Sequence, residues 1–344
     1  MKKTYIIFGL ILIVILTSCN YKSEKEVPVW SELPEVTDLS SLKNTEFVAT
    51  LETQIQKDKN IIYAPAFLFA WNSLKNELGA PFKLIEPSSN DFKLLNLSKL
   101  YENSLNPDEY DINVNVEDGK VSVSAYFNKT LPFPTKLEKL KEPIVFKDTK
   151  VNAFGMKYFD YKYIEFTKVL YYKNDDNFVI TFLPKNEHHE IILAKGLDST
   201  RTLLAMLKQM YQLIDTGKSE QTKPNILWKY EITADDIFSV PAIKFNISTK
   251  YKNIEYQKFQ SGGISYVVET AYQRTGFILN ENGAVVESEA IAASLEAAMP
   301  EEETIKHPKK LIFDKPFFVV IKRKDQTNPY FTMRVDNVEL MEKK

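Results

Sequence analysis

The residue types that most often do chemistry are thinly spread in this chain. His188 and His189 are adjacent, and neighbours on a strand point to opposite faces, so the two rings cannot share a metal ion and read best as a solvated loop. Asp175-Asp176 and Asp235-Asp236 have the look of turn residues, whose carboxylates bond to nearby backbone. No nucleophilic triad, phosphate-cradling glycine loop or metal-ligand spacing stands out. Neither an enzyme nor a cofactor site is expected. What does stand out is a run of small side chains between Ala284 and Ala298, preceded by Thr275-Gly-Phe-Ile-Leu-Asn-Glu-Asn-Gly283. A long connection tied to strands at both ends is uncommon in a compact domain and is usually functional.

The run has a period. A strand lying on a packed core presents small, uncharged side chains at every second position where space is tight, because those positions meet the core. With Ala284 inward, the inward set is Ala284, Val286, Ser288, Ala290, Ala292 and Ser294, while Glu287 and Glu289 fall on the other face. The same stretch is rich in alanine, has Ile291 and Leu295 at helical spacing, and stops at Pro300, so a surface helix is open as well.

Around this run the hydrophobic pattern predicts a mixed chain. Phe47, Leu51 and Ile55 suggest a helix over 45–57, and a short strand over 60–65 leads into a buried helix over 66–78 that ends before Gly79. A strand–turn–strand is expected over 114–127 around Gly119, β-rich aromatic segments over 144–183, and an amphipathic helix over 197–211. Strands are expected over 229–232, 243–248 and 267–279, a helix over 249–259, and two apolar strands over 313–322 and 330–338. Helix-rich, then β-rich, then helix, then β is the order of an α+β fold rather than alternating βαβ units.

Composition bounds the role. The 344 residues, 44% hydrophobic and 12% aromatic, suffice for one large core. A formal charge of −2, which becomes −4 if Lys2 and Lys3 are removed, gives no basic footprint for nucleic acid. Lys2-Lys3, the apolar stretch 5–16 and Cys19 form an export signal, and the apolar stretch is too short to span a bilayer. Leu16-Thr17-Ser18-Cys19 resembles a bacterial lipobox. That implies cleavage after residue 18, lipidation of Cys19, and anchoring on the periplasmic or cell-surface face of a membrane. Cys19 is the only cysteine, so no internal disulfide can form. Residues 19–43, polar and carrying Pro28 and Pro34, are expected to be a flexible tether, with a single domain over 44–344.

Within that domain the chain resembles a serpin. Asn60-Ile-Ile-Tyr-Ala-Pro65 is similar to the family's Asn-x-x-x-Ser-Pro segment, and Tyr126-Phe-Asn-Lys129 with Pro132-Phe133 and Phe146 to its first sheet crossing. Phe178-Val-Ile-Thr-Phe-Leu-Pro184, Val240-Pro-Ala-Ile-Lys-Phe245 and Phe259-Gln-Ser-Gly262 follow in family order. Glu281-Asn-Gly283 stands where the family has Glu-Glu-Gly at the hinge of its reactive loop, and Lys315-Pro-Phe-Phe318 and Phe331-Thr-Met-Arg-Val335 resemble the family's C-terminal strands.

The resemblance implies a large mixed central sheet with two smaller sheets, N-terminal helices, and an exposed reactive loop over about 283–312. It also implies a monomeric suicide substrate of serine (or papain-like cysteine) endopeptidases, acting by loop cleavage and strand insertion. Glu281, Asn282, Gly283, Ala284, Val286, Ser288, Ala290 and Ala292 would form the hinge side. Hinge spacing puts the bait bond at Ala297-Ala298, whereas counting back from Lys315 puts it near Lys306. The family's central polar cluster is largely replaced: its serines fall on Ala64 and Phe67, its asparagine near Val123, its histidine on Gln273 and its tryptophan on Leu131. Those departures leave room for an alternative, a non-inhibitory serpin-fold surface lipoprotein that binds a partner or ligand.

Overall fold

Residues 60–78 sit at the centre of the molecule. Asn60–Tyr63 is buried throughout, and its Ile61, Ile62 and Tyr63 are apolar without alternation, as in a strand covered on both faces. Pro65 then starts the helix Ala66–Leu78, whose first six residues and Leu74 are all buried. Gly79, at φ 64, ends it and donates its N–H to Lys75 O at 3.1 Å. Trp71 meets Phe82, Phe92 and Phe259 edge-on at 5.4–5.6 Å between ring centroids, which fixes the helix under the large sheet.

The structure is a computed structural model and describes residues 33–127, 130–156, 161–198, 201–284 and 307–344. Among these, nine strands form a large mixed sheet, seven form a second sheet and four a third, and Ile144–Phe146 with Thr149–Val151 makes a two-stranded ribbon. This is the α+β architecture that the resemblance implies, a large mixed sheet with two smaller ones. Helices Ala66–Leu78 and Asn90–Leu97 precede most of the strands.

The longest strand, Ile264–Asn280, organises the large sheet. Ile243–Lys250 pairs with it antiparallel on one side, and Lys120–Phe127 pairs with it in parallel on the other. Tyr110–Glu117 completes this flank as an antiparallel neighbour of Lys120–Phe127. Along the long strand Ala271, Gln273 and Thr275 are buried toward the helix while Tyr272 and Arg274 face outward, the two-residue period of a sheet with one packed face. The seven-stranded sheet contains Asn60–Tyr63, Phe317–Arg323 and Pro329–Val335. Asn60 ties it to the C-terminal turn, its Oδ1 accepting the Asp336 N–H at 2.9 Å and the Asn337 N–H at 3.1 Å.

Several expectations give way. The helix expected over 45–57 is a short strand, Thr45–Phe47, parallel to Asn60–Tyr63, followed by turns. Residues 47–51 are all buried, so the apparent helical spacing is the trace of a chain reversal packed on every side. The strand expected over 229–232 is instead the end of a 3-10 helix, Pro224–Lys229, started by its proline, and the turn after it. Residues 249–259 are no helix: Ile243–Lys250 and Lys258–Ser261 continue the same sheet across an intervening turn. The amphipathic helix starts later and runs further, over Leu203–Glu220. The tether does not reach residue 43. Thr37–Asp38 pairs in parallel with Ile247 and Ser248, and Asn246 Nδ2 donates to Pro34 O at 2.9 Å. Backbone hydrogen bonding thus draws this polar stretch onto the sheet edge.

Candidate functional site

The segment expected to form the hinge is a turn followed by a ladder. Ile264–Asn280 ends where Asn280 Oδ1 accepts the Asn282 N–H at 2.9 Å. Both turn carbonyls are also used: Leu137 donates to Glu281 O and Phe133 to Asn282 O, each at 2.9 Å. The Glu281 carboxylate lies 3.6 Å from Lys136 Nζ. Gly283–Ala284 then returns as a two-residue strand. It runs antiparallel to Leu279 and Asn280 on one side and to Leu131 and Pro132 on the other. Only glycine fits at 283, because φ is 134 and a Cβ would stand 2.4 Å from Leu131 O. Ala284 is buried.

Below the hinge the sheet is closed by the parallel ladder that runs from Lys120 opposite Val267 to Phe127 opposite Thr275. At its middle stands Gln273, the position where the resemblance expects a histidine. It is fully buried, and its Oε1 accepts the Phe67 N–H at 3.2 Å and the Tyr251 hydroxyl at 3.3 Å. Its Nε2 donates to Thr275 Oγ1 at 3.0 Å. The N-terminus of Ala66–Leu78 has no side-chain cap of its own, so Gln273 satisfies one of its orphan N–H groups from across the sheet. Burial pushes the Tyr251 hydroxyl up, which keeps it a donor. The expected loss of the polar cluster is therefore only partial: the serines and asparagine are gone, and one glutamine now links strand, helix and tyrosine.

The far end of the loop is held by different means. Lys309 Nζ lies 2.8 Å from Asp236 Oδ2, with the two side chains 0% and 1% exposed. The same ammonium donates to Glu231 O at 2.7 Å and to Trp228 O at 3.1 Å, so all three of its N–H groups have acceptors. Asp236 is equally engaged, its Oδ1 accepting the Lys309 backbone N–H at 2.6 Å and its Oδ2 the Thr233 N–H at 2.8 Å. His307 stacks on Trp228, centroids 4.3 Å apart. Immediately after this cluster, Lys310–Ile312 joins the four-stranded sheet parallel to Ile237–Pro241.

The structure therefore brings Glu281, Asn282, Gly283 and Ala284 together in this turn and short strand. Cys19, Val286, Ser288, Ala290, Ala292, Ala297, Ala298 and Lys306 lie outside the described residues. Asp236 is the turn residue that the sequence suggests, its carboxylate accepting the Thr233 N–H at 2.8 Å, and it is also half of the buried pair. The reading of His188-His189 as a solvated loop is corrected. His189 lies on the strand His189–Lys195, buried, with Nδ1 2.9 Å from the Tyr330 hydroxyl and Nε2 3.8 Å from Glu109 Oε1. It packs against Tyr330 of another strand of the second sheet and faces Glu109, the last residue of the 3-10 turn Pro107–Glu109 that leads into Tyr110–Glu117. Lys309 and Asp236 each belong to a like-charged doublet, a pattern that reads as solvent-facing, so no local signal marks them.

No family model matches this chain, and no curated protein matches it. Among solved structures it is similar to a serpin from the trematode Schistosoma haematobium, at 13% identity and a TM-score of 0.39, over 64% of this chain and 58% of that one. It is similar to Serpin48 of the insect Tenebrio molitor at 14% identity and a TM-score of 0.36, over 80% and 74%. It is also similar to the thermophilic serpin Tengpin in its native state, at 12% identity and a TM-score of 0.37, over 63% and 55%. The chain thus spans less than two thirds of the length of the first and third of these proteins.

Proposed function

We propose that this protein is a serpin-like inhibitor of serine-type (or papain-like cysteine) endopeptidases that acts as a suicide substrate. The observation that carries the reading is the register of Gly283–Ala284. On one flank Ala284 stands opposite Leu279, so a strand continued from it would set Ser288 opposite Thr275, Ala290 opposite Gln273 and Ala292 opposite Ala271. On the other flank Ala284 stands opposite Leu131, which would set Ser288 opposite Phe127, Ala290 opposite Ala125 and Ala292 opposite Val123. In the closed sheet Thr275 is already paired with Phe127, Gln273 with Ala125 and Ala271 with Val123. The two flanks therefore agree on a slot in which a new strand keeps its register with both neighbours once they separate. The residues that would face the core in it are the small ones.

In this mechanism a protease attacks a bait carbonyl in the loop and forms an acyl-enzyme. The freed chain inserts from Ala284 downward, and the protease travels with it. The slot would take about a dozen residues, a run of about 40 Å at ~3.3 Å each. Such a run ends near Leu295, which favours a bait bond at Ala297-Ala298 over one near Lys306. Export and lipid anchoring through Cys19, on the periplasmic or cell-surface face, complete the proposed setting. Incorporation of labelled palmitate, lost on Cys19→Ser, checks that part.

Incubation with elastase-, trypsin- and subtilisin-like enzymes should yield an SDS-stable complex, and the loop-cleaved protein should melt well above the intact one. Ala290→Arg should abolish that rise while Ile291→Arg leaves it, because only position 290 would face the packed side. Loop cleavage with neither complex nor rise in melting, across the whole panel, overturns the reading in favour of a non-inhibitory binding protein.

A further inference from the structure

The two outer edges of the large sheet are finished differently. One edge strand, Ile243–Lys250, is covered: Thr37–Asp38 pairs with Ile247 and Ser248, and Leu340 O accepts the Lys244 N–H at 3.1 Å. The other edge strand is Tyr110–Glu117. It pairs with Lys120–Phe127 from end to end without a register shift. Among the described residues, no other strand pairs with it and no other backbone group bonds to it. Every second residue along it therefore turns its N–H and C=O away from the sheet. Such an edge is a template for a further strand, and proteins ordinarily guard it with proline, lysine or a bulge. Tyr110-Asp-Ile-Asn-Val-Asn-Val-Glu117 has none of these.

The strand is complementary to a second copy of itself. Ile112, Val114 and Val116 stand opposite Ala125, Val123 and Val121, which are fully buried, so they lean to the packed side. Tyr110 stacks on Phe69 of the helix Ala66–Leu78 at 4.0 Å between ring centroids. Cover is incomplete at the edge itself, where Ile112 stays 37% exposed. Asp111, Asn113, Asn115 and Glu117 alternate to the outer side and are exposed. Two copies of such a strand can pair antiparallel about a two-fold axis with packed side beside packed side. With the axis at Asn113, Ile112 faces Val114 of the second copy and Tyr110 faces Val116, the aromatic and β-branched pairs that favour strand pairing. On the outer side Asn113 faces Asn113, and Asp111 faces Asn115. Moving the axis to Val114 would set Asp111 against Glu117 twice per dimer, and like charges directly opposite are destabilising. The charge pattern therefore selects Asn113. We propose that residues 110–116 form a self-association edge through which two copies join their large sheets into one continuous sheet. The resemblance alone implies a monomer. The edge uses neither hinge nor loop, so it stands apart from the inhibitor mechanism.

The test is a disulfide trap in the full chain. Cys19→Ser leaves no cysteine, and Asn113→Cys then puts one thiol per copy on the axis, where facing Cα atoms stand ~4.5–5.5 Å apart, within disulfide reach. Asn115→Cys is the control. It is exposed on the same side, but its counterpart in the second copy lies four residues further along the strand, about 14 Å at ~3.4 Å per residue. Under mild oxidation Asn113→Cys should crosslink into dimers roughly tenfold faster than Asn115→Cys. One strand is a small interface, so the wild-type dimer is expected at micromolar concentrations in sedimentation. Ile112→Lys sets a charge against Val114 of the second copy and should raise the dissociation constant roughly tenfold or more. A chain that sediments as a monomer at about 100 μM overturns the proposal. So does equal crosslinking of the two cysteine variants, which assigns association to another surface or register. An Ile112→Lys variant that folds and associates as tightly as wild type overturns it too. Both cysteine positions are exposed, so the trap decides even if Ile112→Lys fails to fold. Failure to trap a protease would leave the edge untouched, and a monomer would leave the inhibitor reading untouched.

Discussion

The two ends of the loop are fastened by opposite strategies. At the near end Gly283 and Ala284 hold by backbone pairing on both flanks, with a turn behind them and an exposed lysine beside Glu281. Such a ladder grows or shrinks one residue at a time, and each step changes little. At the far end a buried ion pair backs the strand's parallel ladder, and every donor and acceptor in the pair is spent. That arrangement has no partial state of comparable energy, since a half-satisfied buried network is worse than either an intact or an apolar one. The difference teaches how one segment can be poised at one end and fixed at the other. In the proposed mechanism the end that moves is incremental, and the end that holds is all-or-none.

The largest expected effect tests the fixed end. Asp236→Ala leaves the Lys309 ammonium buried without its counter-charge and should lower stability by about 3–5 kcal/mol, read as a drop in the urea midpoint. A loss under about 1 kcal/mol would mean that the pair is solvated and that the contrast between the two ends is false. The next effect tests the poised end. Gly283→Val forces a β-branched side chain into φ 134 and against Leu131 O, which should cost about 1–3 kcal/mol and strip hydrogen-exchange protection from Ala284. If it costs as much as Asp236→Ala, the near end is as all-or-none as the far one.

The near end was legible in the sequence, and the far end was not. The hinge announces itself through short-range features: an Asn-rich turn, a glycine among few glycines, and a two-residue alternation of small side chains after it. The helix Ala66–Leu78 was likewise legible, because a long apolar run between Pro65 and Gly79 has few other readings. Lys309 and Asp236 lie 73 residues apart and each sits beside a like charge, so local pattern assigns both to the surface. His189 misled for the same reason, being paired in sequence with a histidine that is exposed while it packs against Tyr330, 141 residues away. Phe47, Leu51 and Ile55 misled differently: helical spacing also arises where an irregular chain is buried on all sides. What stayed hidden in each case is a pairing set by the fold rather than by neighbours along the chain.

Gln273 lets the comparison be sharpened at a point between the two ends. It stands midway down the proposed slot, and Gln273→Leu would leave the Phe67 N–H and the Tyr251 hydroxyl buried without an acceptor. A loss of about 1–3 kcal/mol is expected, measured by denaturant unfolding, because two orphaned donors weigh more than the gain from burying leucine. The cluster belongs to the closed sheet and not to the far anchor. The variant should therefore speed strand insertion after cleavage while leaving hydrogen exchange at Lys310–Ile312 as slow as in wild type, once corrected for the global loss of stability. Faster exchange at Lys310–Ile312 beyond that correction would mean that the slot and the anchor open together. The two fastenings would then be one cooperative unit rather than two independent devices at opposite ends of a loop.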